Sequence, residues 1–153
     1  MTEIAVVTPI SKNPYSVVNG LLHVFREAGC PGRVSLLYMK DRWVAATLNA
    51  IESSFRNLCP HTSFSRRRLH GGLRSDIGQF KAEVEALKGE GYRVYVNITP
   101  GTKLMTLAAY LGAVEAGADE IFYLSVEDRS YTETLLPFIP RSLVASYTVP
   151  GGR

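Results

Sequence analysis

The stretch YRVYVNITPGTKLMTLAAYLGAVEAGADEIFYLSV, from Tyr92 to Val126, decides the fold. It opens with a strand-length apolar run, Tyr92–Ile98, and turns through Pro100-Gly101. It continues as KLMTLAAYLGAVEAG, long enough for a helix. A second apolar run, EIFYLSV (Glu120–Val126), follows. Strand, helix, strand is a βαβ unit, predicted to hold its two strands parallel through a right-handed crossover.

The alternation continues toward the N-terminus. IAVV (Ile4–Val7) reads as a buried strand running into the turn-like TPISKNP. A helix is predicted over Tyr15–Ala28, stopped by Gly29. VSLLYM (Val34–Met39) is a second strand, and a helix over Trp43–Leu58 ends before Pro60. TSFSRRRL (Thr62–Leu69) is polar enough for a sheet edge. Ser75 or Asp76 caps a third helix with Phe80, Val84 and Leu87 on one face. The expected fold is therefore α/β: a doubly wound, mainly parallel sheet of Rossmann-like topology, with helices on both faces and strand order 3-2-1-4-5. Residues 1–128 form this domain. Residues 129–153 are a C-terminal extension packed on the domain or on a dimer partner. Within it, LLPFIP and SLVASYTV read either as an antiparallel pair or as an arm directed at the partner.

Composition sets outer limits. The 153 residues suit one domain with a real core, and 46% hydrophobic against 20% charged residues argues against disorder. A net charge of +3 suits an anionic partner but falls short of a double-stranded DNA surface. Cys30 and Cys59 have no metal-type spacing and read as small buried thiols in a reducing compartment. No segment reaches membrane-spanning length and no leader pattern opens the chain, so the expected location is the cytoplasm, away from any membrane.

In such a sheet, ligands sit beyond the carboxyl ends of the strands where strand order reverses. The predicted crevice lies between Thr8–Pro14 and Thr99–Lys103, two loops that each open with Thr-Pro. Gly101 lets the backbone approach a ligand, and the following N–H groups open a helix, which favours phosphate. Lys103 in a first helical turn opposes the helix dipole, which a bound anion would explain, against the plainer reading of an exposed lysine after a Thr N-cap. Pro100 stiffens the turn and Thr102 can cap the helix. No GxxxxGK[ST] is present and no GxGxxG follows the first strand, which argues against P-loop hydrolysis and dinucleotide chemistry.

At this point the residues resemble a known family. A strand ending in Asn97-x-Thr99, then Pro100-Gly101-Thr102-Lys103-x-Met105 opening a small-residue helix, resembles the CARF (CRISPR-associated Rossmann fold) family, with Pro100 where the family often has glycine. TPISKNPYSV resembles the family's first ligand loop, with Thr8, Pro9, Ser11, Lys12 and Asn13 at the contact positions. The resemblance implies a homodimer binding a cyclic oligoadenylate, most often the tetra-adenylate, across its two-fold axis. With no effector domain after residue 153, it points to a stand-alone member similar to the ring nucleases that cleave this messenger and switch off type III CRISPR signalling. The alternative is a sensor or sequestering module that binds without cutting.

Ring nucleases of this type need no metal and no cofactor, and neither is expected here. His23, His61 and His70 lack ligand spacing with a carboxylate. The implied reaction is attack by the substrate's own 2′-OH on the adjacent phosphorus. Lys103 is the first candidate for stabilising phosphate charge and Ser11 the second catalytic candidate, orienting ribose or phosphate. Ser11 reads equally as a turn residue bonding its own backbone. Arg66 in the Arg66-Arg67-Arg68 run and Arg74 in HGGLRSD (His70–Asp76) are candidates to reach the ligand, against the plainer reading of a solvated edge. Met105 is a candidate base contact or a core residue. The tyrosines and Trp43 are candidates to stack on adenine, although Tyr92 and Tyr95, alternating within a strand, and Tyr110, in a helix, read better as core packing.

Overall fold

Alternate residues of each strand feed two separate cores, one on each side of a single sheet. In a computed structural model, which describes residues 3–149, β1 (Ile4–Pro9) directs Ala5 and Val7 to one side and Val6 to the other. It leads into α1 (Tyr15–Ala28), β2 (Arg33–Tyr38), α2 (Val44–Arg56), β3 (Ser63–Arg68) and α3 (Leu73–Gly89). Next come β4 (Arg93–Asn97), α4 (Lys103–Ala116), β5 (Glu120–Val126) and, after three short 3-10 turns, β6 (Val144–Thr148). The sheet order is β3-β2-β1-β4-β5-β6. All neighbours are parallel except β5 and β6. The doubly wound α/β class and the 3-2-1-4-5 order read from the pattern are observed.

Helices α1 and α2 cover one face through Val17, Leu21, Val24, Leu48, Ile51 and Phe55. Helices α3 and α4 cover the other through Phe80, Val84, Leu87, Ala108, Ala109 and Ala113. Each large side chain fully buried in these layers contributes about 1.5–3 kcal/mol. The small residues of α4 let it approach α3 closely. A Cβ at Gly112 would lie 2.7 Å from the Ile77 carbonyl oxygen and 2.9 Å from the Lys81 nitrogen.

Several expectations change. β1 runs on through Thr8 and Pro9, which pair with Leu36 and Leu37 and belong to the strand rather than to the loop. α3 begins at Leu73, before Ser75 and Asp76. Gly71 and Gly72, both with positive φ, make the turn that starts it, and buried Asp76 accepts the Gly71 N–H at 3.1 Å from inside the first turn. Cys30 and Cys59 are not free thiols. They form a disulfide with Cα atoms 5.6 Å apart, because the connections entering parallel strands β2 and β3 meet at the same end of the sheet. Cys59 is buried, whereas Cys30 is exposed.

In the tail, LLPFIP is no strand. Pro137 and Pro140 remove backbone donors, and Leu136–Phe138 forms a 3-10 turn. The strand partner of Val144–Thr148 is instead β5, from Val126↔Val144 to Phe122↔Thr148. The end of the predicted extension, residues 150–153, lies outside the described residues. Among the described residues, no helix is long and apolar enough to cross a membrane.

Candidate functional site

The carboxyl ends of β1 and β4 lie side by side, so the two Thr-Pro loops meet there. Gly101 has φ +98°, a conformation that suits glycine alone. A Cβ there would lie 3.2 Å from that of Met105 and 3.6 Å from that of Pro9. Thr102, in extended conformation, is the N-cap of α4, its Oγ1 accepting the Met105 N–H at 3.2 Å. The preceding N–H groups of the first turn have no intrahelical acceptor and point out of the helix end.

A cavity of about 370 Å³ opens between these loops. Ser11, Lys12, Gly101, Thr102 and Met105 line it, all five among the sequence-derived candidates. Met105 also belongs to the α3/α4 core, the packing role weighed for it. Met39, Asp41 and Trp43 from the β2–α2 connection complete the wall. Sequence reasoning missed Met39 and Asp41. The signal was topological: β2 neighbours β1, so its carboxyl end had to adjoin the first ligand loop.

Other candidates sit around the rim or inside it. Thr8 is fully buried, its hydroxyl donating to the Pro9 carbonyl at 2.7 Å. Ser11 Oγ donates to the Asn13 carbonyl and lies 2.9 Å from Ser16 Oγ, the local turn bonding anticipated as its plainer role. Asn13 accepts the Tyr15 N–H through Oδ1 and donates through Nδ2 to the Thr132 carbonyl, at 2.9 and 3.0 Å. Asn97 is fully buried. Its Oδ1 accepts the Thr99 N–H at 3.0 Å, while its Nδ2 has no hydrogen-bond partner among the described residues. Thr99 Oγ1 accepts the Leu124 N–H at 2.9 Å, tying the second loop to β5. Buried Pro100 offers its carbonyl to Thr106 Oγ1 at 3.4 Å.

Lys103 lies across the turn from the crevice. With Gly101, Thr106, Leu107, Tyr110 and Tyr123 it lines another cavity of about 490 Å³ formed by the turn, α4 and β5. Lys103 and Ser11 thus line two different cavities. The apolar stripe of Leu104, Leu107 and Val114 on α4 is exposed beside that cavity, as are Tyr123 and Tyr147 on the neighbouring strands.

The two arginine candidates stand away from the crevice. Arg66 shares its position along the sheet with Leu36, so its side chain meets α2, where Nε donates to Glu52 Oε2 at 2.6 Å and Nη2 to Asn49 Oδ1 at 2.9 Å. Arg67, one residue on, points to the other face and pairs with Glu83 at 3.3 Å. Arg74 is exposed in the first turn of α3 and lines neither loop cavity. His23 stacks on Phe122 at 4.9 Å, and burial lowers its pKa. Among the described residues, no group of three or more His, Cys, Asp or Glu could hold a metal ion.

The family of CRISPR-associated proteins described as Cas_APE2256 matches residues 38–137. A search of curated protein sequences gives no match. Among solved structures, the chain is similar to Can2 from Sulfobacillus thermosulfidooxidans in complex with cyclic tetra-adenylate, with 17% identity and a TM-score of 0.56 over 79% of this chain and 32% of that one. It is also similar to Enterococcus italicus Csm6 bound to cyclic hexa-2′-fluoro-hexa-dAMP, with 15% identity and a TM-score of 0.64 over 82% and 34%. A type III CRISPR defence DNA nuclease activated by cyclic oligoadenylate aligns with 26% identity and a TM-score of 0.64 over 83% and 19%. The Rossmann-like CARF architecture implied by the two loops is thus the observed one. The chain spans about a third or less of each of these proteins.

Proposed function

Because the chain belongs to the CRISPR-associated Cas_APE2256 family, we propose that it binds a cyclic oligoadenylate, in the first place the tetra-adenylate, across a homodimer and cleaves it as a metal-independent ring nuclease. The observation that carries the binding is the convergence of Ser11, Lys12, Gly101 and Thr102 on one cavity at the sheet's switch point. Lys12 supplies positive charge there, and the open N-terminus of α4 supplies N–H donors to phosphate. The exposed stripe Leu104-Leu107-Val114 supports a second copy of the chain as the partner, since a helix apolar on both faces favours cover on both. Such a dimer would place the Lys103 side of the turn at the two-fold axis, near the ligand's centre.

In cleavage, a ribose 2′-oxygen attacks the adjacent phosphorus while the bond from phosphorus to the 5′-oxygen breaks. The 2′-hydroxyl gives up its proton and the leaving 5′-oxygen takes one, giving a 2′,3′-cyclic phosphate and a 5′-hydroxyl. Lys103 and the α4 N–H groups would stabilise the phosphorane's charge, and Ser11 would orient the ribose. One observation favours the non-catalytic reading. Ser11 is engaged with Asn13 and Ser16, and Lys103 opens onto a different cavity. A sensor needs only the cradle.

The test is to incubate the protein in EDTA with labelled cyclic tetra-adenylate and follow binding and products together, with Lys103→Ala and Ser11→Ala alongside. Linear product ending in a cyclic phosphate, slowed at least tenfold by Lys103→Ala, supports the nuclease. Tight binding without product over hours supports the sensor. No binding at all sinks both.

A further inference from the structure

A second, smaller cavity of about 210 Å³ lies beside the crevice, between the two ligand loops and the tail. Ser16, Thr99, Leu124, Val126, Tyr131 and Leu136 form most of its wall, and none of the described residues lining it is charged. The crevice, by contrast, contains Lys12 and Asp41. Lys12 and Asn13 are chain neighbours, with Cα atoms about 3.8 Å apart, so the cavities are within one nucleotide's reach of each other. An uncharged pocket next to one that offers Lys12 and the open N-terminus of α4 matches the two ends of a nucleotide, base and phosphate.

The tail contributes Tyr131, Thr132 and Leu136 to the wall, and it is tied down. Asn13 Nδ2 donates to the Thr132 carbonyl at 3.0 Å. Asn19, buried in α1, donates to the Thr134 carbonyl at 3.0 Å and accepts the Leu136 N–H at 2.8 Å. Two side chains on α1 and its leading loop thus hold residues 132–136 at three points, and Tyr131, just before them, lines the cavity. Asp128 fastens the preceding turn by accepting the Ser130 N–H and hydroxyl.

We infer that this cavity is a pocket for a purine base of the ligand whose phosphates the crevice holds, with Tyr131 as its stacking wall. The inference rests on the cyclic oligoadenylate reading above. A cavity of about 150 Å³ admits benzene, so this volume is enough for one bicyclic heterocycle. The Thr99 oxygen already accepts from Leu124, leaving its hydroxyl proton to donate to a ring nitrogen. Leu124, Val126 and Leu136 supply apolar contact. The tail is therefore part of the binding site, and Asn19 is a positioning residue for it.

Adenosine, which carries no phosphate, probes the pocket alone. It is titrated at millimolar concentration into methyl-labelled protein, with uridine in parallel, and the Leu124, Val126 and Leu136 methyl signals are followed. Saturable shifts with adenosine, weaker with uridine, lost in Tyr131→Ala and kept in Tyr131→Phe, are expected. In the same variants, cyclic tetra-adenylate affinity should fall roughly 5- to 100-fold for Tyr131→Ala and little for Tyr131→Phe. Adenosine that leaves these methyls unmoved overturns the pocket, as do equal shifts with uridine. If cyclic tetra-adenylate does not bind the unaltered protein, the functional reading fails. If it binds normally and Tyr131→Ala changes nothing, the base pocket alone fails.

Discussion

Gly20 of α1 lies directly against the carboxamide of Asn97 at the end of β4, so closely that a methyl group at position 20 would overlap the Asn97 nitrogen. The contact joins the first helix to the strand that launches the second ligand loop, and Asn97 in turn holds the Thr99 N–H. Gly20→Ala would gain helix propensity of up to about 1 kcal/mol, but overpacking a buried site costs about 1–3 kcal/mol. The expected result is a net loss of stability together with weaker ligand binding, read from denaturant midpoints and a binding isotherm. A rise in the midpoint with unchanged binding would contradict this.

Gly112 and Gly78 make a matched pair in neighbouring helices. A Cβ at Gly112 would meet backbone atoms of Ile77 and Lys81, which cannot yield without moving α3. A Cβ at Gly78, exposed on α3, would meet nothing within 4 Å. Gly112→Ala should therefore destabilise by at least about 1–3 kcal/mol. Gly78→Ala should stabilise by about 0.5–1 kcal/mol, the ordinary helix preference. Urea unfolding of both variants checks the opposite signs.

The Cys30–Cys59 bond closes a loop of sequence separation 29 at the end of the sheet opposite the crevice. Constraining a loop of that size is worth roughly 3–4 kcal/mol by the chain-entropy relation. Cys59→Ser should lower stability by that order, and a thiol reductant should lower the native protein to match. Affinity for the ligand at temperatures where both forms are folded should stay within about twofold. A large affinity loss would mean that the two ends of the sheet are coupled.

His23 predicts a pH dependence. Burial holds its pKa below the ordinary value of 6.5; Arg26 pushes the same way, while Glu27 and Glu120 oppose. The unfolded chain therefore takes up a proton at higher pH than the folded one does. The corresponding stability is present in full above pH 6.5 and is lost as pH falls through 6.5 toward the folded value. Melting temperature against pH should show this decline in the unaltered protein, and His23→Gln should remove the His23 part of it. Identical profiles would overturn the assignment.

What the chain says locally is the order of its elements. Glu120–Val126 is legible at both ends as a strand and Tyr15–Ala28 as a helix, because apolar periodicity and a terminating residue act over a few positions. The two Thr-Pro loops are legible for the same reason, and with the strand order they locate the crevice. Tertiary structure alone decided that Cys30 meets Cys59 and that Arg66 is bound to Glu52. It decided too that Val144–Thr148 pairs with β5 and that Lys103 and Ser11 line different cavities. Each of these joins or separates residues far apart in the chain. Periodicity marks which face of an element is buried, but it does not mark which distant residue covers that face.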